Sequence, residues 1–411
     1  MAVIKAFQCV HPAEGLASQI AALPYDVYSR AEARRQVEKE PLSFLRIDRA
    51  ETQFDENIDI YSPEVYQKAR DLLYGMIQDG SFVKEEKPCY YLYELTMNGR
   101  SQTGLVACAA VDDYLNGVIK KHENTTEEKE IDRIHHVDVC NAQTGPIFLA
   151  YRNHGLIRGI TNKVKKGRPM FDFVSEDGIG HRGWRIDQEK DIAQIRDTFA
   201  AIDKIYIADG HHRAASAVKV CLKRRAEHPD YNGTEQFNYF LSVLFPDDEL
   251  LIMDYNRVIK DLKGQTREEF FDKVKLVFDM EKHGGQYHPK RKGTFGMYIG
   301  GQWYKLTAKP QLMKEDPVER LDVAYLQREL LQPYLHILNP KTCHRIEYIG
   351  GIRGLDELER RVDGGSAVAF SMYPTSIGEL FDVADANELM PPKSTWFEPK
   401  LRSGLFIHEM S

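Results

Sequence analysis

Asp209-Gly210-His211-His212-Arg213 gathers five residues suited to holding or acting on an anion into one short run. It lies between Ile205-Tyr206-Ile207, which reads as a strand, and Ala214-Ala215-Ser216-Ala217, which reads as the start of a helix. Gly210 permits a turn that a Cβ would obstruct and lets a ligand approach the main chain. The helix beyond it presents unpaired N–H groups and the positive end of its dipole, a setting suited to phosphate. Arg213 adds a planar fork for phosphate oxygens, with His211 and His212 beside it. Asp209 is a candidate magnesium ligand next to those phosphates. Any one of these residues is more often a turn or a solvated surface. Their crowding at a single strand-to-helix corner is what points to phosphate binding. Zinc is the weaker reading, because adjacent histidines seldom chelate one ion.

Lys121-His122-Glu123-Asn124-Thr125 forms a second constellation, between a predicted strand end and a charged helix that Thr125 or Thr126 could cap. Glu127, Glu128 and Glu130 read as the solvated start of that helix. His122 and Glu123 precede it, on a loop expected to face Gly210. A carboxylate there can take a proton from a substrate hydroxyl or orient a magnesium-bound water. Glu123 is therefore a candidate base and, with Asp209, a candidate metal ligand. Asp26 in "LPYDVYS" can pair with a substrate ammonium group or simply form a turn. The C-terminal "MPPKSTWFEPKLRSGLFIH" carries Lys393, Ser394, Thr395, Lys400, Arg402 and Ser403 against a single acid, Glu398. Three prolines stiffen it, and Gly404 leaves room for a ligand. The expectation is a tail that folds over the corner to bind an anion, and whose removal from residue 391 leaves the rest folded.

The scaffold for these groups reads as alternating strands and helices. Ser29 and Glu32 make a capping box before one helix, and Ser62 with Pro63 opens another that Gly80 ends. "CYYLYELTMNGRSQTGLVACAAV" reads as a hairpin turning at Asn98-Gly99. "GPIFLAYR" is a strand, and residues of about 153–200 read as an insertion with short strands of its own. "FNYFLSVLF" begins a strand-rich second half that includes a long helix, "DPVERLDVAYLQRELLQPYL".

With 411 residues, the chain exceeds one ordinary core. Its net charge of −7 argues against a broad nucleic-acid-binding face. No apolar run reaches membrane-spanning length. Six scattered cysteines without a CxxC pair fit a reducing cytoplasm better than a disulfide framework.

"GHHRAASA" after a strand resembles the G-x-x-R box of the ParB and sulfiredoxin superfamily. Asp-Gly-His-His-Arg is similar to the archaeal free-serine kinases of that superfamily, and "KHENT" lies where that fold keeps its catalytic acidic loop. With "LPYDVYS", "KHENT", "IADGHHR" and "MPPKSTWFEPKLRSGL", nearly the whole chain resembles domain-of-unknown-function family 1015. The resemblance implies an α+β fold with a ParB/sulfiredoxin-like nucleotide-binding core at 115–230, interrupted by the insertion. An N-terminal α+β segment (1–114) precedes the core, and a strand-rich α+β half (231–411) follows it. The resemblance further implies Glu123 as general base in a nucleotide-dependent kinase acting on a small-molecule hydroxyl, with free L-serine as the analogy. Mg2+ and ATP or ADP would be required. Two alternatives stay open: a phosphatase for a metabolite such as phosphoserine, and a nucleotide-binding ParB-like regulator. The expected partners are a small molecule and a nucleotide, with self-association left open.

Overall fold

Asn98 and Gly99 turn the chain at φ values of 52° and 77°, the two left-handed residues that a tight hairpin demands. They join two strands of a nine-stranded sheet. In chain order the strands are β1 (Ile4–Lys5), β2 (Tyr90–Met97), β3 (Arg100–Ala110), β4 (Ile119–Lys120), β5 (Ile147–Tyr151), β6 (Phe171–Val174), β7 (Gly180–Ile186), β8 (Ile205–Asp209) and β9 (Tyr239–Pro246). In space they run β4-β8-β5-β9-β3-β2-β7-β6, with β1 on β3 beyond the end of β2. The β4–β8 and β5–β9 pairs are parallel and the rest antiparallel. The computed structural model describes residues 1–125 and 127–411, with the backbone alone at 128 and 129. It divides into one unit of Met1–Leu250 with Pro399–Ser411, and a second of Leu251–Glu398.

The longer helices of the first unit are α1 (Arg30–Lys39), α2 (Pro63–Gln78), α3 (Glu127–Cys140), α4 (Gly155–Val164), α5 (Glu189–Phe199) and α6 (His211–Glu227). The capping box at Ser29 and Glu32 is formed. Ser62, by contrast, makes no side-chain cap, so Pro63 alone marks the start of α2. The expected short strands within 153–200 are β6 and β7, flanked by α4 and α5. Ile157, Ile160, Ile195 and Phe199 of these helices join Ala214, Ala217 and Val218 of α6 against one face of the sheet. A separate cluster collects α1, α2, Phe44, Ile47, Phe82 and Ile407.

Most of the last thirteen residues are core, not fringe. Leu405, Phe406 and Ile407 are fully buried. Main-chain bonds tie Ser403 to Ala22, Ile407 to Val10 and Met410 to Asn141. The space expected beside Gly404 is filled: a Cβ there would meet Phe44 at 2.6 Å.

The second unit holds a six-stranded antiparallel sheet of β10 (Tyr255–Ile259), β11 (Phe278–His283), β12 (Thr294–Ile299), β13 (Gln302–Ala308), β14 (Ile346–Gly350) and β15 (Val368–Ser371), in the order β11-β13-β12-β15-β10-β14. The expected long helix is a shorter one from Asp322 to Leu335, widened to π geometry at Gln327–Leu331. Among the described residues no helix is long and apolar enough to cross a membrane, and all six cysteines are free.

Candidate functional site

Asp209 ends β8 just past a slip in register: Ile207 faces Leu149, but Asp209 faces Phe148. Such a bulge re-aims the side chains around it. Gly210 follows at φ 93° and caps α6, a conformation that glycine alone adopts without strain. The first turn of α6 therefore begins directly at the corner. Ala214 and Ala217 bring the helix close to the sheet. The Ser216 hydroxyl donates to the His212 and Glu130 carbonyls, fastening α6 to α3.

The 121–125 loop does face this corner. His122 and His211 meet edge to face with ring centroids 4.5 Å apart. His211 Nδ1 lies 3.6 Å from Glu123 Oε2, and the Glu123 side chain is 41% exposed. Both imidazoles are buried, and among the described residues neither His122 Nδ1 nor His211 Nε2 has a hydrogen-bond partner. Burial holds the His122 pKa down at about 4. Burial, then the neighbouring His122, pushes His211 well below the ordinary histidine value. Both rings are neutral at pH 7. His212 is half-buried at the second helical position. The Thr125 hydroxyl donates to the Glu130 carboxylate, and Thr126 lies outside the described residues.

Asp209 is 38% exposed and carries two cations. Lys400 Nζ is 3.4 Å from its carboxylate and Arg213 Nη2 is 3.9 Å away. Burial raises its pKa, but Lys400 and then Arg213 outweigh that and hold the carboxyl below the usual range. The Arg213 side chain is only 17% exposed and is already engaged within the fold. Its Nη1 donates to the Pro146 carbonyl at 2.6 Å. Among the described residues no three His, Cys, Asp or Glu side chains are arranged to hold a metal.

The tail divides at Pro399. Lys400 reaches Asp209, and Ser403 lines a cavity with Arg213. Arg402 is 3% exposed; it pairs with Asp177 and donates to Ser175. The expectation of unbalanced cations is thereby corrected: Lys400 and Arg402 each have an acid. Lys393, Ser394 and Thr395 belong to the second unit. There the Lys393 carbonyl accepts from Arg257, its ammonium sits 5.7 Å over Tyr255, and the Ser394 hydroxyl donates to Pro391.

Arg213 also opens onto residues that sequence reading did not single out. A narrow cavity of about 30 Å³ is lined by Tyr25, Asp48, Arg133, Thr144, Arg213 and Ser403. A wider one of about 210 Å³ shares Tyr25, Asp48 and Arg133 and adds Asp26 and Tyr66. Arg133 is buried, stacks 4.0 Å over the Tyr25 ring and is bound by Asp132 at Nε and Nη2. The signal available was spacing. Arg133 and His136 are three apart on α3 and so share a face, and both are buried.

Among solved structures, the free serine kinase in complex with AMP is similar to this chain at 14% identity, covering 72% of this chain and 86% of that one with a TM-score of 0.34. SbnI with C-terminal truncation from Staphylococcus aureus is 12% identical over 71% and 82% of the two chains, with a TM-score of 0.38. A conserved hypothetical protein from Pyrococcus furiosus is 14% identical over 73% and 93%, with a TM-score of 0.33. No curated protein sequence matches the chain. A family model, described as protein of unknown function DUF1015, matches residues 4–324. Spanning most of the sequence, that match shows that the chain belongs to the DUF1015 family.

Proposed function

We propose that this corner transfers a phosphoryl group between a nucleotide and the hydroxyl of a small molecule. One observation carries the reading. A half-exposed carboxylate, Glu123, and two neutral buried imidazoles stand against a glycine-capped helix start, with Lys400 and Arg213 beside it. Phosphoryl transfer needs positioning and neutralisation of charge more than covalent chemistry from the protein. The start of α6 holds phosphate oxygens through its main-chain N–H groups. Lys400 and Arg213 balance the negative charge, and Glu123 accepts the proton of the attacking hydroxyl. Neutral His122 and His211 keep that carboxylate free of a competing imidazolium.

Asp209 and Glu123 fit a magnesium ion that comes with the nucleotide, since magnesium takes one or two carboxylates plus phosphates and water. When bound, it neutralises charge on the phosphates. The 115–230 segment is read as a ParB/sulfiredoxin-like core carrying this corner. Free L-serine is the first acceptor to try, with ATP and ADP as the first donors.

The test is phosphorus NMR of the purified chain with Mg2+ and ATP or ADP, supplied with L-serine or, separately, with phosphoserine alone. Phosphoserine appearing only with nucleotide supports the kinase. Release of inorganic phosphate from phosphoserine without nucleotide replaces it with the phosphatase. Neither product with any small hydroxyl compound, despite nucleotide binding, leaves the regulator reading.

A further inference from the structure

The wider cavity beside the corner contains a charge that its own walls do not balance. Two arginines line it, and each is matched. Arg49 Nε bonds Glu51 at 2.7 Å, and Arg133 is held by Asp132 at 2.9 and 2.8 Å. Asp48 is left over. It is 5% exposed and forms part of the walls of both cavities. One carboxylate oxygen accepts from the Thr144 hydroxyl at 3.1 Å. Among the described residues the other oxygen has no donor, and no cation lies within the 4 Å of an ion pair. A buried carboxylate without a cation is costly unless something supplies one.

We infer that this cavity is the acceptor pocket of the proposed transferase and that Asp48 binds a primary ammonium group of the ligand. The acceptor role rests on the proposed function; the ammonium recognition does not. Tyr25, Tyr61 and Tyr66 supply aromatic walls, which attract cations through their faces. A carboxylate oxygen lacking a donor calls for an N–H, so a primary ammonium with three donors suits it and a quaternary one does not. Arg133 does not repel such a ligand strongly, because Asp132 already neutralises it. Arg49 donates to the Tyr25 and Tyr28 carbonyls and so fixes the turn that forms one wall. The volume of about 210 Å³ admits a compact metabolite rather than a peptide. Asp26, also on the wall, is exposed and is a weaker anchor than Asp48.

Isothermal titration calorimetry on the full chain without nucleotide tests the idea. Ethanolamine, L-serine and putrescine are compared with their hydroxyl counterparts ethylene glycol, glycerate and 1,4-butanediol. At least one amine should bind, and its counterpart should bind roughly tenfold or more weakly, as loss of a charge-assisted bond requires. Asp48→Asn should erase the difference while its circular dichroism stays that of the wild type. Binding by no amine at millimolar concentration overturns the inference. So does equal affinity within every pair, or a folded Asp48→Asn that still discriminates. If Asp48→Asn does not fold, the wild-type comparison decides alone. Amine binding without phosphoryl transfer would sink the kinase reading and leave this site standing.

Discussion

Lys400 holds its ammonium 3.4 Å from the Asp209 carboxylate across 191 residues of chain. The contact joins the end of β8 to the returning C-terminal segment, and it keeps a cation at the start of α6. Lys400→Met should weaken ATP or ADP binding by about tenfold, the worth of one charge-assisted bond. Lys400→Arg should retain most of it. Calorimetric titration of both variants checks this, and unchanged nucleotide affinity in Lys400→Met would remove Lys400 from the site.

Glu123→Gln keeps the size and hydrogen bonding of the side chain but cannot accept a proton. In the proposed transferase, kcat should fall by ~10²-fold or more with little change in nucleotide affinity. A variant turning over at the wild-type rate would return Glu123 to the solvated start of α3.

In the proposed transferase Arg213 has two jobs, so its removal should be read on two scales. Arg213→Ala should abolish phosphate binding at the corner. It should also lower stability by roughly 1–2 kcal/mol, because the Pro146 carbonyl loses its charged donor. Urea unfolding monitored beside nucleotide titration separates the two effects.

Deleting residues 399–411 should unfold the first unit, not merely inactivate it. Leu401, Leu405, Phe406 and Ile407 are all buried. At about 1.5–3 kcal/mol each, their burial is of the order of a whole domain's stability. A truncated chain with wild-type circular dichroism and a cooperative thermal transition would contradict this.

The two units should respond to pH with opposite sign. In the first, burial holds His122 and His408 at about 4 and His181 at about 3, and it lowers His136 and His211 as well. Below about pH 6.5 the unfolded chain takes up protons that the native histidines refuse. Stability therefore falls as pH drops from 6.5 toward 4, by up to about 1.4 kcal/mol per unit for each histidine. In the second unit, burial raises Asp322 to about 7 against the pull of the Gly293 amide and Lys292. Its native form keeps a proton that the unfolded chain releases above about pH 3.9, so stability falls as pH rises through 4 to 7. Hydrogen exchange at pH 4.5 and 7.5 should show protection lost at the lower pH in β8 and β9, and at the higher pH around Gly293 and Asp322. Asp322→Asn should flatten the second response.

The sequence by itself determined the local pieces. The Asn98-Gly99 hairpin, the Ser29 capping box and the strand–glycine–helix corner at Asp209 all depend on neighbours in the chain, so residue type and spacing carry them. Family membership was legible in the same way, from four short motifs. The tertiary structure alone decided which polar groups are neutral, paired or left over. Nothing local reveals that Arg402 is buried against Asp177, that Lys400 meets Asp209, or that Asp48 lines a cavity without an ion-pair partner of its own among the described residues. Each of those facts depends on contacts across tens to hundreds of residues. Burial and the partner it brings, more than residue identity, set what a charged side chain can do.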